Sequence, residues 1–118
     1  MASFGHLLRF RPMRRTGNDS WVAVLNAKII GAVRTSGEWL DDLWVLRDSR
    51  GREVGQCLLA HGEAEIIARG YEVLHLRVVQ SNAAAIEFYR RHGWQIARAF
   101  PHEKLPITML EMSKPIRQ

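Results

Sequence analysis

A single cysteine, Cys57, in 118 residues rules out an intrachain disulfide framework and any zinc site built from several thiolates. His61 follows Cys57 at helical spacing, but two ligands fall short of a metal centre, and no metal is expected. So little cysteine suits a reducing compartment, and a cytoplasmic protein is expected. Long apolar runs are missing as well. No stretch approaches about 18 consecutive apolar residues, so no transmembrane helix and no membrane partner are expected. The opening residues, MASFGHLLRFRP, lack the apolar core of a signal peptide. Lysine is scarce, since 14 of the 17 basic residues are arginine. That bias suits bidentate contact with phosphate or carboxylate better than a lysine coat would. Neither GxxxxGK[ST] nor G-x-G-x-x-G occurs, which excludes a Walker loop and the dinucleotide fingerprint.

The chain is basic, with net charge +5 and a pI near 10.1. Only Arg9, Arg11, Arg14 and Arg15 cluster, and they read as a solvated, flexible N-terminus rather than a nucleic-acid arm. Hydrophobic residues make up 47%, enough for one core at this length. A single domain over residues 1–118 is expected.

The first half reads as β-structure. A strand is expected over 6–12, a turn over 14–19 (RRTGND), and strands over 21–26 and 28–34 joined tightly at Asn26-Ala27. After a turn at Ser36-Gly37, a further strand runs over 38–46, EWLDDLWVL. The period then becomes helical over 52–69, with Val54, Leu58, Leu59, Gly62, Ile66 and Ile67 on one stripe. Gly70 is the C-cap. VLHLRVV, 73–79, is a strand in which His75 reads as packed or hydrogen-bonded. Asn82 caps a second helix over 83–92, which buries either Ile86 and Tyr89 or Ala85 and Phe88. Gly93 ends it, and two more strands follow over 94–98 and 107–112. The class is α/β with a mixed, mostly antiparallel sheet. The link from Trp44 through the first helix to Leu76 is long enough for a parallel crossover.

The junction RDSRGREVGQCLL carries the densest chemistry. Gly51 and Gly55 let backbone approach a ligand. The helix that starts there presents unpaired N–H groups and the positive end of its dipole. A pyrophosphate fits such a place, and Arg50 and Arg52 add charge-assisted hydrogen bonds. Taken alone, the stretch fits a phosphate cradle and a loop of solvated arginines equally.

Four features in order decide between them: the apolar strand LWVL, this junction, the strand VLHLRVV, and the segment NAAAIEFYRRHGW. Together they resemble the GCN5-related N-acetyltransferase superfamily over residues 21–112. The family's loop, R-G-x-G-x-G, stands here as Arg50-Gly51-Arg52-Glu53-Val54-Gly55. Its later pattern, N-x-x-A-x-x-x-Y-x-x-x-G-F, stands as Asn82, Ala85 or Ile86, Tyr89, Gly93 and Trp94. The resemblance implies an acyl-CoA N-acyltransferase fold, with a central splayed parallel strand pair and helices packed on the sheet. It also implies acetyl-CoA as cosubstrate and direct acetyl transfer to an amine.

On that resemblance, residues 50–55 hold the pyrophosphate. Backbone of Leu43, Trp44 and Val45 pairs with pantetheine and polarises the thioester, where attack develops negative charge. Tyr89 returns a proton to the thiolate, a step matched to a phenol of pKa about 10 and a thiol of about 8.5. Asn82 caps its helix and reaches the pantetheine arm. In the diamine N-acetyltransferases of this superfamily the strand reads much like LEDxxV, and LDDLWV, 40–45, is similar to it. Asp41 then matches the base or amine anchor, with Glu38 and Asp42 also at the acceptor. Strand alternation puts Asp41 and Asp42 on opposite faces unless a bulge intervenes.

Two departures stand out. Glu53 holds the place of the family's middle glycine. Only RRTGND occupies the place of two helices that form one wall of the acceptor site. That implies an open site, or a wall supplied by a second subunit in a homodimer. A non-catalytic acyl-CoA-binding module and a basic nucleic-acid-binding domain remain the alternatives.

Overall fold

The computed structural model describes the backbone of residues 9–15, 18–50 and 53–116, and the side chains of 20–50 and 53–116. The chain forms two units, Met1–Gly70 and Tyr71–Gln118.

The first unit is an antiparallel meander with a helix on it. Strands β1 (Arg9–Arg15), β2 (Asn18–Leu25), β3 (Lys28–Ser36) and β4 (Trp39–Val45) pair in sequence order, and α1 (Val54–Ala68) follows. Asn26 and Ala27 both take positive φ, 51° and 63°. That is the type I′ geometry whose twist matches a two-residue hairpin.

Two expectations fail at the N-terminus. Arg9, Arg11, Arg14 and Arg15 are not a flexible basic segment, because their backbone pairs in register with β2 from Arg9↔Val24 to Arg15↔Asn18. The expected turn over 14–19 is narrower than read, since Arg14 pairs with Asp19 and Arg15 with Asn18 inside the ladder; residues 16–17 lie outside the described part. The hairpin ladder satisfies backbone groups that a longer turn would leave to water. The first strand was expected over 6–12; residues 6–8 lie outside the described part.

α1 packs on one face of β2–β4. Alternation puts Trp21, Ala23, Val33 and Leu40 under the helix, all nearly inaccessible to solvent. The helix answers with Val54, Leu58, Leu59, Gly62 and Ile66. Ile67, expected on the same stripe, is 40% exposed, because it lies one residue step, about 100°, past Ile66. The approach is close. A Cβ on Gly31 would stand 2.8 Å from Leu58 Cδ1 and 2.8 Å from the Trp44 carbonyl oxygen. One on Gly62 would stand 3.0 Å from Val33 Cγ2. Arg69 pins the far end of the helix by donating to the Gly37 carbonyl and to Thr35 Oγ1, each at 2.7 Å.

In the second unit β5 (Val73–Val79) and β6 (Gln95–Pro101) flank β7 (Thr108–Pro115), both antiparallel to it. Leu74, Leu76, Val78, Leu110 and Met112 are buried. On alternate positions His75 Nδ1 lies 3.5 Å from Glu111 Oε2, and Arg98 Nε donates to Glu111 Oε1 at 3.1 Å. His75 is therefore partnered, as its strand position suggested. α2 (Ala83–Arg91) follows β5. Among the described residues no helix is long and apolar enough to cross a membrane.

Two outcomes follow from the packing under α1. Gly31→Ala is expected to cost about 1–3 kcal/mol in urea unfolding, because the new methyl meets a backbone carbonyl as well as a flexible leucine. His61 lies edge-on to Trp21, with ring centroids 4.9 Å apart. Burial lowers its pKa, with the Glu65 carboxylate opposing the shift. The unfolded chain then binds the extra proton first. Stability is expected to fall as pH drops below about 6.5. In thermal melts between pH 7.5 and 5, His61→Gln is expected to show the shallower fall.

Candidate functional site

Between β4 and α1 the chain makes a 3-10 turn, Arg47–Ser49, closed by Ser49 N–H to the Leu46 carbonyl at 2.9 Å. Arg50 then folds back, and its Nε donates to the Val45 carbonyl at 3.3 Å. Gly51 and Arg52 lie outside the described residues. Glu53 is the N-cap of α1 and takes a left-handed backbone, φ 66° and ψ 9°. For a residue with a Cβ that conformation costs about 1–2 kcal/mol. Glycine adopts it freely, which gives the glycine of the R-G-x-G-x-G pattern its physical reason. The Glu53 side chain makes no capping bond, and the first turn holds no acid. The leading N–H groups of a 15-residue helix therefore lack the usual side-chain acceptor. α2 is the contrast: Asn82 Oδ1 accepts from Ala85 N–H at 3.2 Å.

Cys57, one turn into α1, has its thiol pKa pushed up, first by burial and second by the Glu53 carboxylate. A raised pKa means less thiolate and a poor nucleophile, which fits a packing role.

β4 carries an irregularity at the acidic pair. Leu40 pairs with Thr35 and Asp42 with Arg34, so Asp41 is an extra residue. This bulge resets the alternation. Leu40 and Leu43 both align with residues under α1, Thr35 and Val33. Asp41 and Asp42 share the interval between them, and both are exposed. Asp41 Oδ2 accepts from Ser36 Oγ at 2.5 Å, and Ser36 lies on the side of β3 away from α1. The two acids therefore share the face opposite the helix, where plain alternation would separate them.

That face holds a groove of about 280 Å³. Its rows run across the strands as Ser20, Arg34, Asp42 and Val22, Ala32, Trp44. Trp44 is 42% exposed. Ala32, the smallest side chain in the middle strand, makes the floor low. Leu43 turns toward α1 while Trp44 turns into the groove. Glu38 sits in the β3–β4 turn and does not line it. Asp42, Trp44 and the Asp41 bulge thus come together on one face. Arg34 and Ser36 are the residues that sequence reading missed, because their place depends on a register the bulge had shifted.

In the second unit Tyr89 is 8% exposed. Its ring packs edge-on to Trp94 at 5.9 Å and to Phe88 at 5.5 Å. Its carbonyl accepts from His92 N–H at 2.9 Å and Trp94 N–H at 3.1 Å. Gly93, at φ 94°, permits that tight reversal. Of the two faces expected to be buried, the structure buries Tyr89 most deeply, while Ala85, Ile86 and Phe88 are half-buried.

The sequence profile described as "Acetyltransferase (GNAT) domain" matches residues 16–96. The chain belongs to the GNAT acetyltransferase family. An uncharacterized N-acetyltransferase of Methanocaldococcus jannaschii is 29% identical over 94 residues, covering 70% of this chain and 42% of that protein. The chain thus spans about two fifths of that relative's length. Solved structures share the fold. A nourseothricin acetyltransferase matches with TM-score 0.78 at 22% identity, over 94% of this chain and 85% of that one. A GNAT family acetyltransferase from Elizabethkingia anophelis, with acetyl-CoA bound, matches with TM-score 0.79 at 12% identity, over 92% and 98%. The ribosomal-protein-S18-alanine N-acetyltransferase of Escherichia coli matches with TM-score 0.71 at 24% identity, over 89% and 73%. The acyl-CoA N-acyltransferase fold is therefore that of this GNAT chain.

Relief of the left-handed backbone is directly measurable. Glu53→Gly is expected to raise unfolding stability by up to about 1 kcal/mol, the strain removed less the added freedom of the unfolded chain.

Proposed function

We propose that the chain transfers acetyl from acetyl-CoA to an amine by direct attack in a ternary complex. The observation that carries this is the α1 N-terminus. A left-handed residue at the family's glycine position, Glu53, opens a helix with no side-chain capping bond from that residue. Such a helix start suits an anion, which supports reading it as the pyrophosphate site. The family match from residue 16 to 96 crosses both units, which supports reading them as one acetyltransferase domain.

In this reading Arg50, Gly51, Arg52, Glu53, Val54 and Gly55 hold the pyrophosphate, with Glu53 contributing backbone only. Arg50 exchanges its bond to the Val45 carbonyl for the ligand. Backbone of Leu43, Trp44 and Val45 pairs with pantetheine and steadies the developing oxyanion. Asn82 serves as cap and borders the pantetheine arm. The acceptor enters as an ammonium and gives up one proton to Asp41 or Asp42, with Glu38 at the rim. The amine nitrogen then attacks the thioester carbon, an N–C bond forms and the C–S bond breaks. Tyr89 gives its phenolic proton to the leaving thiolate and recovers one from the amide nitrogen through solvent. The net products are acetamide, CoA thiol and one proton.

One observation favours the non-catalytic reading, in which the chain binds acyl-CoA without turnover: a carboxylate stands at the cradle. Calorimetry with acetyl-CoA tests both readings, since absence of binding at millimolar ligand removes them together. Glu53→Gly is expected to tighten acetyl-CoA by about 3- to 10-fold, by removing one repelling charge. Tyr89→Phe is expected to slow thiol release by about 100-fold or more, with the acetyl-CoA Kd essentially unchanged. Equal turnover in that variant would take the proton-donor role from Tyr89.

A further inference from the structure

The groove opposite α1 pairs charges in a way a plain amine site would not. Arg34 and Asp42 are direct cross-strand neighbours, which puts their Cβ atoms about 4.5–5.5 Å apart. Both are exposed, and among the described residues neither side chain forms a hydrogen bond or ion pair. A ligand carrying only positive charge meets the guanidinium as soon as it reaches Asp42, and the attraction largely cancels. A ligand with an ammonium and a carboxylate on adjacent atoms satisfies both. Asp41 is already engaged with Ser36, so Asp42 is the carboxylate that faces the groove.

Beside this pair lies an apolar half. Trp44 presents its ring, with Val22, Ala32 and Ile29 around it, and Ile29 is 48% exposed. The groove's volume of about 280 Å³ is at the lower end for small-molecule sites. One amino acid fits such a space.

We propose that this groove binds a free α-amino acid with an apolar side chain as the acetyl acceptor. Its ammonium lies on Asp42, its carboxylate on Arg34 and its side chain on Trp44. This names the acceptor class for the transfer proposed above and rests on that reading for its chemistry, though not for binding.

Binding is therefore the test. Leucine, leucine methyl ester and isopentylamine are titrated into the full chain by calorimetry, without acetyl-CoA and again with CoA present. Leucine is expected to bind about tenfold more tightly than either analogue, the worth of one charge-assisted contact. Arg34→Gln is expected to bring the three within about twofold of each other, and Arg34→Lys to restore part of the preference. Trp44→Ala is expected to weaken leucine without narrowing its lead over the ester. Equal or tighter binding of isopentylamine, or an unchanged preference in Arg34→Gln, overturns the proposal, as does no leucine binding at all. Acetyl-CoA calorimetry on the same sample separates the two failures. Donor binding without leucine preference removes the amino-acid site and leaves the acetyltransferase reading standing. Leucine preference without donor binding does the reverse.

Discussion

The seat of α1 against β3 is the constraint on which the rest of the first unit depends. At Gly31 there is no room for a methyl between Leu58 and the Trp44 carbonyl. At Gly62 the helix backbone comes nearly as close to Val33 and Leu40. Two glycines on opposite sides of one contact fix the height of the helix above the sheet. That height, with the Arg69 clamp at the other end, places the N-terminus just beyond the end of β4. Between β4 and the helix lies the Arg47–Ser49 turn, and Glu53 holds a conformation that its own side chain resists.

The bulge at Asp41 acts on the other face. Without it β4 would turn one acid toward α1, where a carboxylate would lie buried against Val33 and Leu40 without a partner. With it, leucines continue under the helix on both sides of the irregularity while both acids reach solvent. A sheet that must keep one face apolar and the other chemically varied gains from one inserted residue. The same insertion brings Asp42 across from Arg34 and leaves Trp44 beside Ala32.

Much of the fold is legible in the sequence because local signals agree. VLHLRVV alternates cleanly and forms β5 over its whole length. Asn82 sits where a cap is needed and makes the bond. Asn26-Ala27 separates two β-rich runs by two residues, and the hairpin follows. The site is less legible. The side to which Asp41 points depends on a bulge, which is a property of two strands in register and leaves no mark in one strand's composition. Arg34 carries no motif and gains meaning only from its neighbour on β4. The basic stretch over residues 9–15 contains a proline and four arginines, which weakens any strand signal, yet ladder pairing with β2 overrides propensity. Ile67 shows the limit of stripe reading, since an apolar residue at the edge of a helical face looks the same as one at its centre.

The contrast between the two helix starts has a kinetic side. α2 begins with its amide held by Asn82, so its first turn is closed from within. α1 begins without a capping bond from the Glu53 side chain to its first amides. Solvent deuterium reaches such amides quickly, and the first turn of α1 is the segment whose exchange clock an arriving anion would reset. The helix that packs most tightly along its length is also the one left most open at its tip.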